Sequence, residues 1–388
     1  MIIWTILFWT GLFLVFYTYI GYGILLRALV AMRETLRPRT WQPELDPLPE
    51  VTLLIAAYNE EEIVAEKMSN IRAQTYPAAK LHIVWITDGS TDRTGERLAH
   101  YADVQVLHQA ARKGKTAALN RAMLSIQTPI VICTDANTML NPQAVREIVH
   151  CFAYHDVGCV AGEKRVASDV GGAAATEGVY WRYESKLKEW DDRLYTTTGA
   201  AGELFSFRRA LYEVQPEDTL LDDFMISMRI AAAGYRIAYC KTAYALETPS
   251  SDMREEGKRK VRIAAGGLQS VWRLLPLLNL FRYGVLSFQY ISHRVLRWTL
   301  TPIMLVALVP LNVVLLWSES PILYAVLLAA QLLFYAAALA GWNIEQHGKK
   351  SRLLFIPYYF MFMNINVFRG ARYLATHRGG AWEKAKRG

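Results

Sequence analysis

Three short clusters carry residue types that can do chemistry: Tyr58-Asn59-Glu60, Asp88-Gly89-Ser90 and Asp135-Ala136-Asn137, each directly after an apolar run. Carboxylate and amide oxygens gathered at one rim can hold a hard divalent cation or accept hydrogen bonds from a polar ligand. Each cluster also has a plainer reading, because Asn59, Ser90 and Asp92 are residue types that cap the first turn of a helix. Capping does not explain why acids recur after successive runs, where like charges repel unless a cation or ligand separates them. Jointly the clusters point to a site. In "ARKGKTAALN", Gly114-Lys115-Thr116 imitates the end of a phosphate-binding loop, but the required earlier glycine is Gln109. Lys115 at a helix start can still meet a phosphate by charge and by the helix dipole.

The runs that must position these clusters are "VTLLIAA", "LHIVWIT", "VQVL" and "PIVICT", each leading through a polar loop into a helix-like stretch. That alternation, over about residues 50–250, predicts a parallel sheet wrapped by helices. Ligands of such sheets bind beyond the carboxyl ends of the strands, where the three clusters fall.

Composition places part of the chain in lipid: 388 residues, 53% hydrophobic, with 11 Trp. The stretch Ile2 to Leu26 carries no charge and exceeds the ~20 residues of a bilayer crossing. With nothing basic before it, it fits a retained anchor better than a cleaved signal. Arg27, Arg33, Arg37 and Arg39 follow, then the Pro-rich "QPELDPLPE", so the positive-inside rule predicts an outside N-terminus and a cytosolic domain. Apolar windows at Thr299–Trp317 and Pro321–Trp342, separated by "SES", predict an antiparallel membrane pair. The net charge of +8 concentrates beside these windows and in the tail "THRGGAWEKAKRG", which suits anionic lipid headgroups rather than nucleic acid. Cys133, Cys151, Cys159 and Cys240 show no metal-ligand spacing and predict buried free thiols.

In the order "AAYNEEE", "DGSTDRT", "GKTAALN", "TDAN", "GELFSFRR", "LDDFMISMRIAAAGYRIAY", the chain resembles the membrane-embedded family 2 glycosyltransferases, the group of cellulose, hyaluronan and poly-N-acetylglucosamine synthases. The resemblance spans roughly residues 50–275 and implies an α/β GT-A (Rossmann-like) domain with α-helical transmembrane segments, a nucleotide-sugar donor, UDP-linked, and inversion at the anomeric carbon. It implies that Tyr58, Asn59, Glu60 and Asp88 hold the nucleotide and that Lys115 and Arg262 meet its phosphates. Asp135 opens the family's D-x-D motif, which implies Mg²⁺ or Mn²⁺ held by Asp135 and by Asn137, here a neutral oxygen in place of the last acid. Asp223, with Asp222 beside it, matches the catalytic base; without the resemblance the pair reads as charge at a helix N-terminus. Trp181, Tyr183, Gly202 and Glu203 fall at the acceptor end, and Tyr180 and Trp190 join the aromatics of "VYWRYESKLKEW", whose helical spacing equally suits core packing.

The family's Q-x-x-R-W becomes Arg259-x-x-Arg262-Ile263, which keeps only the arginine and predicts short or single-addition products. The expected organisation is a membrane helix over 1–30, a linker over 31–50, the GT-A catalytic domain over 51–252 and amphipathic interfacial helices over 253–298. A membrane hairpin over 299–342, an interfacial or re-entrant segment over 353–375 and a basic cytosolic tail over 376–388 complete it. The expected activity is elongation of an extracellular or cell-surface glycan at a bacterial-type plasma or inner membrane, with export partners; the alternative is addition of one sugar to a lipid carrier or glycolipid. A nucleotide-binding scaffold or transporter is the reading from another class, disfavoured because the apolar windows lack paired acids or bases at mid-depth.

Overall fold

A computed structural model of the chain describes residues 1–36, 45–166, 173–248, 253–347 and 351–376. The expected linker falls partly, and the basic tail from His377 onward with Trp382 wholly, outside the described residues, as does the side chain of Tyr180.

The strands are β1 Val51–Ala57, β2 Leu81–Asp88, β3 Val104–Gln109, β4 Ile130–Asp135, β5 Thr138–Leu140, β6 Val157–Val166, β7 Leu204–Arg208 and β8 Arg236–Glu247. They form one sheet in the order β3-β2-β1-β4-β7-β6-β8-β5. β1 is buried along its whole length, and its side chains alternate between two cores, as the period of two requires. Leu54 and Ala56 join Val84, Ile86 and Val131 beneath the helices Lys115–Met123 and Asp222–Ala232. Leu53 and Ile55 join Ile83, Trp85 and Ile132 beneath Val64–Arg72 and Ala144–Cys151.

β1 runs parallel to β2 and β4, with Ala56 level with Asp135 and Ala57 with Thr87, so the three polar clusters do share one rim. The sheet as a whole is mixed, where the alternation of runs and helices predicts parallel pairing. β7 lies antiparallel to β4, with Leu204 beside Thr134. The reversal has a consequence for the rim: it delivers Gly202 and Glu203, at the entry to β7, beside the end of β4.

Two helices, Ile2–Leu36 and Pro321–Gln346, are long and apolar enough to cross a membrane, and Val285–Trp298 with Leu300–Leu315 makes a third span if this pair, bent by 52°, is counted as one. The N-terminal helix is bound to the helix Ala173–Leu194: Tyr22 donates to Asp191, and Arg193 Nε and Nη2 reach Glu34 at 2.7 and 2.6 Å. The segment 352–376 is one continuous helix, Arg352–Thr376. It makes two backbone-close contacts. A Cβ at Gly341 would collide with the Leu354 carbonyl oxygen, and one at Gly370 would stand 2.7 Å from Ala264 Cβ and Ala265 N on the helix Met253–Arg273.

Candidate active site

At the mouth of β4 the chain turns sharply through Asp135-Ala136-Asn137 into β5. Beneath this turn lies Lys67, fully buried, whose Nζ donates to Thr134 Oγ1 at 3.2 Å, to the Asp135 carbonyl at 3.0 Å and to the Thr138 carbonyl at 2.5 Å. Burial draws the ammonium down to about 7, opposed by the Asp135 charge. Sequence reasoning missed Lys67, although a signal was present. Val64, Lys67, Met68 and Ile71 are the buried residues of one helix at helical spacing, so a lone lysine stands on an apolar face. Lys67→Met is expected to lower unfolding stability by about 3 kcal/mol, since two carbonyls and a hydroxyl lose a buried donor at ~1–3 kcal/mol each with partial relaxation. Chemical denaturation checks this.

Asp88, wholly buried at the end of β2, accepts from Lys113 N at 3.0 and 3.1 Å and from Gly114 N at 2.6 Å. Those bonds hold the loop whose Gly114, at φ 95°, starts the helix Lys115–Met123. Lys115 Nζ thereby lies 2.8 Å from Asp135 Oδ1 and 3.9 Å from Asp222 Oδ2. Burial lowers its proton affinity, but Asp135, Asp222 and Asp223 outweigh this and hold it above the ordinary lysine range.

Asp222 and Asp223 start the helix Asp222–Ala232. Asp222 Oδ2 is buried without a hydrogen bond. Asp223 Oδ1 accepts from Phe224 N at 2.7 Å. Burial first, then the charge of Asp222, pushes the Asp223 carboxyl up to about 7, against Lys115. A methyl group at Gly202 would stand 3.3 Å from both Asp223 Oδ2 and Lys115 Nζ, so the bare backbone there keeps the space between them open.

Behind Gly202 a buried four-charge cluster joins the sheet to the helix Met253–Arg273. Lys164 pairs with Glu203 at 2.6 Å and with Glu247, while Arg259 reaches Glu203 at 2.8 Å and Glu247 at 3.3 Å. Burial would raise the Glu203 carboxyl, yet Lys164 and Arg259 hold it far below its usual range. The arginine at the family's glutamine position therefore has a structural partner here. Arg259→Gln is expected to cost about 3 kcal/mol, because removing one member leaves buried carboxylate charge uncompensated. The Tm in detergent reads this; an unchanged value would show the cluster to be dispensable.

Asp135, Asp222, Asp223, Glu203, Glu247 and Lys115 line one cavity of about 1680 Å³, together with Glu60, Asn137, Trp181, Tyr183 and Arg262. The cavity continues between the helices Pro321–Gln346 and Arg352–Thr376, past Tyr335, Trp342, Tyr359 and Met363. Tyr58, Asn59 and Asp88 stand at the same rim but do not line it. The Tyr58 ring lies under the Arg112 guanidinium at 3.9 Å, and Asn59 bonds to Ser90 and Thr91. Ser90 and Asp92 accept from the backbone N–H of Asn59 and Glu61, tying the loop after β1 to the loop after β2. Trp181 faces Lys164 and Lys260 at 5.0 and 5.3 Å, whereas Trp190 packs against Arg27 and Lys186 away from the cavity. The four cysteines are free thiols.

The donor set at Asp135 and Asn137 is all oxygen, which suits Mg²⁺ or Mn²⁺. Among the described residues no three His, Cys, Asp or Glu side chains come together to hold a metal by themselves. The set fits a cation whose remaining ligands arrive with a diphosphate.

Residues 52–214 match the family described as Glycosyl transferase family 2. The chain is 31% identical over 211 residues to a beta-monoglucosyldiacylglycerol synthase of Nostoc sp., an alignment covering 50% of this chain and 44% of that protein. It is 28% identical over 241 residues to a poly-beta-1,6-N-acetyl-D-glucosamine synthase of Staphylococcus aureus, covering 59% and 57%. The chain thus spans about half the length of these curated relatives. In three dimensions it matches a mannosyltransferase from Pyrobaculum calidifontis, solved with GDP-Man and Mn²⁺, at a TM-score of 0.69 and 22% identity over 95% of this chain and 99% of that one. Its mixed sheet is the GT-A fold, and residues 52–214 of it carry a glycosyltransferase family 2 domain.

Proposed function

We propose that this chain is an inverting, metal-dependent membrane glycosyltransferase that moves one sugar from a nucleotide sugar, UDP-linked, to a hydroxyl carried by a membrane lipid. The observation that carries this reading is the single cavity running from Asp223, Asp222 and Asp135 to the apolar walls of the helices Pro321–Gln346 and Arg352–Thr376. A lipid can enter such a space from the bilayer with its head toward the acids. The relative that makes a glucosyldiacylglycerol supports the same acceptor class. Loss of the family's Gln and Trp at Arg259 and Ile263 supports termination after one or few additions.

In this reading Asp223 takes the proton of the acceptor hydroxyl as that oxygen bonds to the anomeric carbon, and the bond from that carbon to the diphosphate breaks on the opposite face. The nucleoside diphosphate carries away the electron pair. Lys115 and Arg262 meet its phosphate oxygens, and a guanidinium suits that geometry. A divalent cation at Asp135 and Asn137 would neutralise the departing charge. Asp88 acts through the loop it fixes, and Lys67 through the turn it supports. The domain faces the cytosol, where nucleotide sugars are made, and export partners are not needed for a lipid product.

The test is purified protein in nanodiscs with a panel of UDP- and GDP-sugars, Mn²⁺ and hydroxyl-bearing lipids, reading nucleotide release and product mass. The expected product is a solvent-extractable lipid heavier by one sugar. A water-soluble polymer would overturn the lipid acceptor, and no nucleotide release with any donor would favour a binding scaffold.

A further inference from the structure

Lys115 occupies the point where three acids converge. Its Nζ is 2.8 Å from Asp135 Oδ1 and 3.9 Å from Asp222 Oδ2, and the space above Gly202 separates it from Asp223 Oδ2. This is where a cation held by Asp135 would need room and negative potential. Two more observations bear on the same spot. Asp222 Oδ2 is buried without a hydrogen bond and has the Lys115 ammonium 3.9 Å away. A second lysine, Lys67, donates to the Asp135 carbonyl at 3.0 Å. A bare divalent ion approaching Asp135 therefore meets the Lys115 ammonium already paired with its ligand oxygen, and among the described residues no three His, Cys, Asp or Glu side chains are arranged to complete its shell. A nucleoside diphosphate changes both terms: its oxygens supply the missing ligands, and its charge attracts an ammonium.

We infer that Lys115 is an internal counter-ion that keeps the metal position closed in the donor-free enzyme and moves to the diphosphate when the donor arrives, so that metal and nucleotide enter as a pair. The inference rests on the reading of Asp135 as the metal-holding acid. It makes Lys115 a gate on metal entry as well as a phosphate contact, and it explains how one carboxylate suffices: the site is built to be completed by the substrate.

The experiment measures Mn²⁺ binding, by electron paramagnetic resonance of the free ion, to full-length protein in detergent with and without UDP or GDP. Wild type is expected to bind Mn²⁺ at least ~10-fold more tightly with nucleotide than alone, since a ligand that completes a shell and removes an opposing charge couples at that scale. Lys115→Gln, which keeps a hydrogen-bond donor but no charge, is expected to bind Mn²⁺ alone at least ~10-fold more tightly than wild type, with the nucleotide enhancement largely lost. Lys115→Arg, which restores the charge, should restore the enhancement. If Lys115→Gln binds Mn²⁺ alone no better than wild type while wild type still binds it with nucleotide, the gate is overturned and the metal site stands. If wild type binds Mn²⁺ equally with and without nucleotide, the gate is likewise overturned, a result that needs no variant to fold. If no condition yields Mn²⁺ binding, the metal reading falls and the gate with it.

Discussion

Asp223→Asn is expected to fold, to bind nucleotide with near-normal affinity and to transfer sugar at least ~10²-fold more slowly, the usual contribution of a positioned base. The amide keeps the shape and the acceptance from Phe224 N but cannot take the acceptor's proton. The pH profile adds a second signature. With the carboxyl pushed up to about 7 by burial and by Asp222, the base is protonated on the acid side, so kcat/KM should fall as pH drops through about 7. An aspartate at its ordinary ~3.9 would show no such limb in that range. Asp222→Asn removes the neighbouring charge, lowers the proton affinity of Asp223 and should move the limb to lower pH. Full turnover by Asp223→Asn, or a limb that ignores Asp222, would put the base elsewhere.

The second large effect is expected at the mouth of β4. Asp135→Ala should weaken Mn²⁺-dependent nucleotide binding by more than ~10²-fold, beyond what loss of a supporting contact usually costs, while Asn137→Ala should stay within ~10-fold. The asymmetry follows from the chemistry: Asp135 is the one carboxylate of that turn, and Asn137 offers a neutral oxygen. Calorimetric titration with UDP in the presence and absence of Mn²⁺ separates the two, and equal losses would contradict the division of labour. Lys115 loses its nearest partner in Asp135→Ala as well, so nucleotide binding without metal should not fall and can rise.

The rim of the site was legible in the sequence because it is written locally. A strand buried on both faces must be an unbroken apolar run, as β1 is, and the first polar residues after such a run mark its mouth. Asp135, Lys115 and Asp223 could be placed on one site by that logic and by the resemblance. What stayed hidden depends on partners distant in the chain. The short run Leu204–Arg208 carries no mark of which neighbour it pairs with, so its antiparallel insertion beside β4 could not be read from pattern. Asp88 looked like a ligand group, yet its oxygens are engaged by Lys113 and Gly114 twenty-five residues or more away. Arg259 looked like a lost glutamine, and only the folded chain brings Glu203 and Glu247 to it.

The two glycine contacts of the helix Arg352–Thr376 bear on how acceptor choice can diverge among relatives. At Gly341 and Gly370 the backbones meet with no side chain between them, so any larger residue at either point must push a whole helix. Between those points the helix presents Ile356, Tyr359 and Met363 to the cavity, side chains that can change volume without moving the backbone. The wall is thus pinned at two points and adjustable between them. If the acceptor is the lipid proposed above, variation confined to those inward positions would retune which lipid fits while Asp223 keeps its place, so substrate range and catalytic rate can be selected separately.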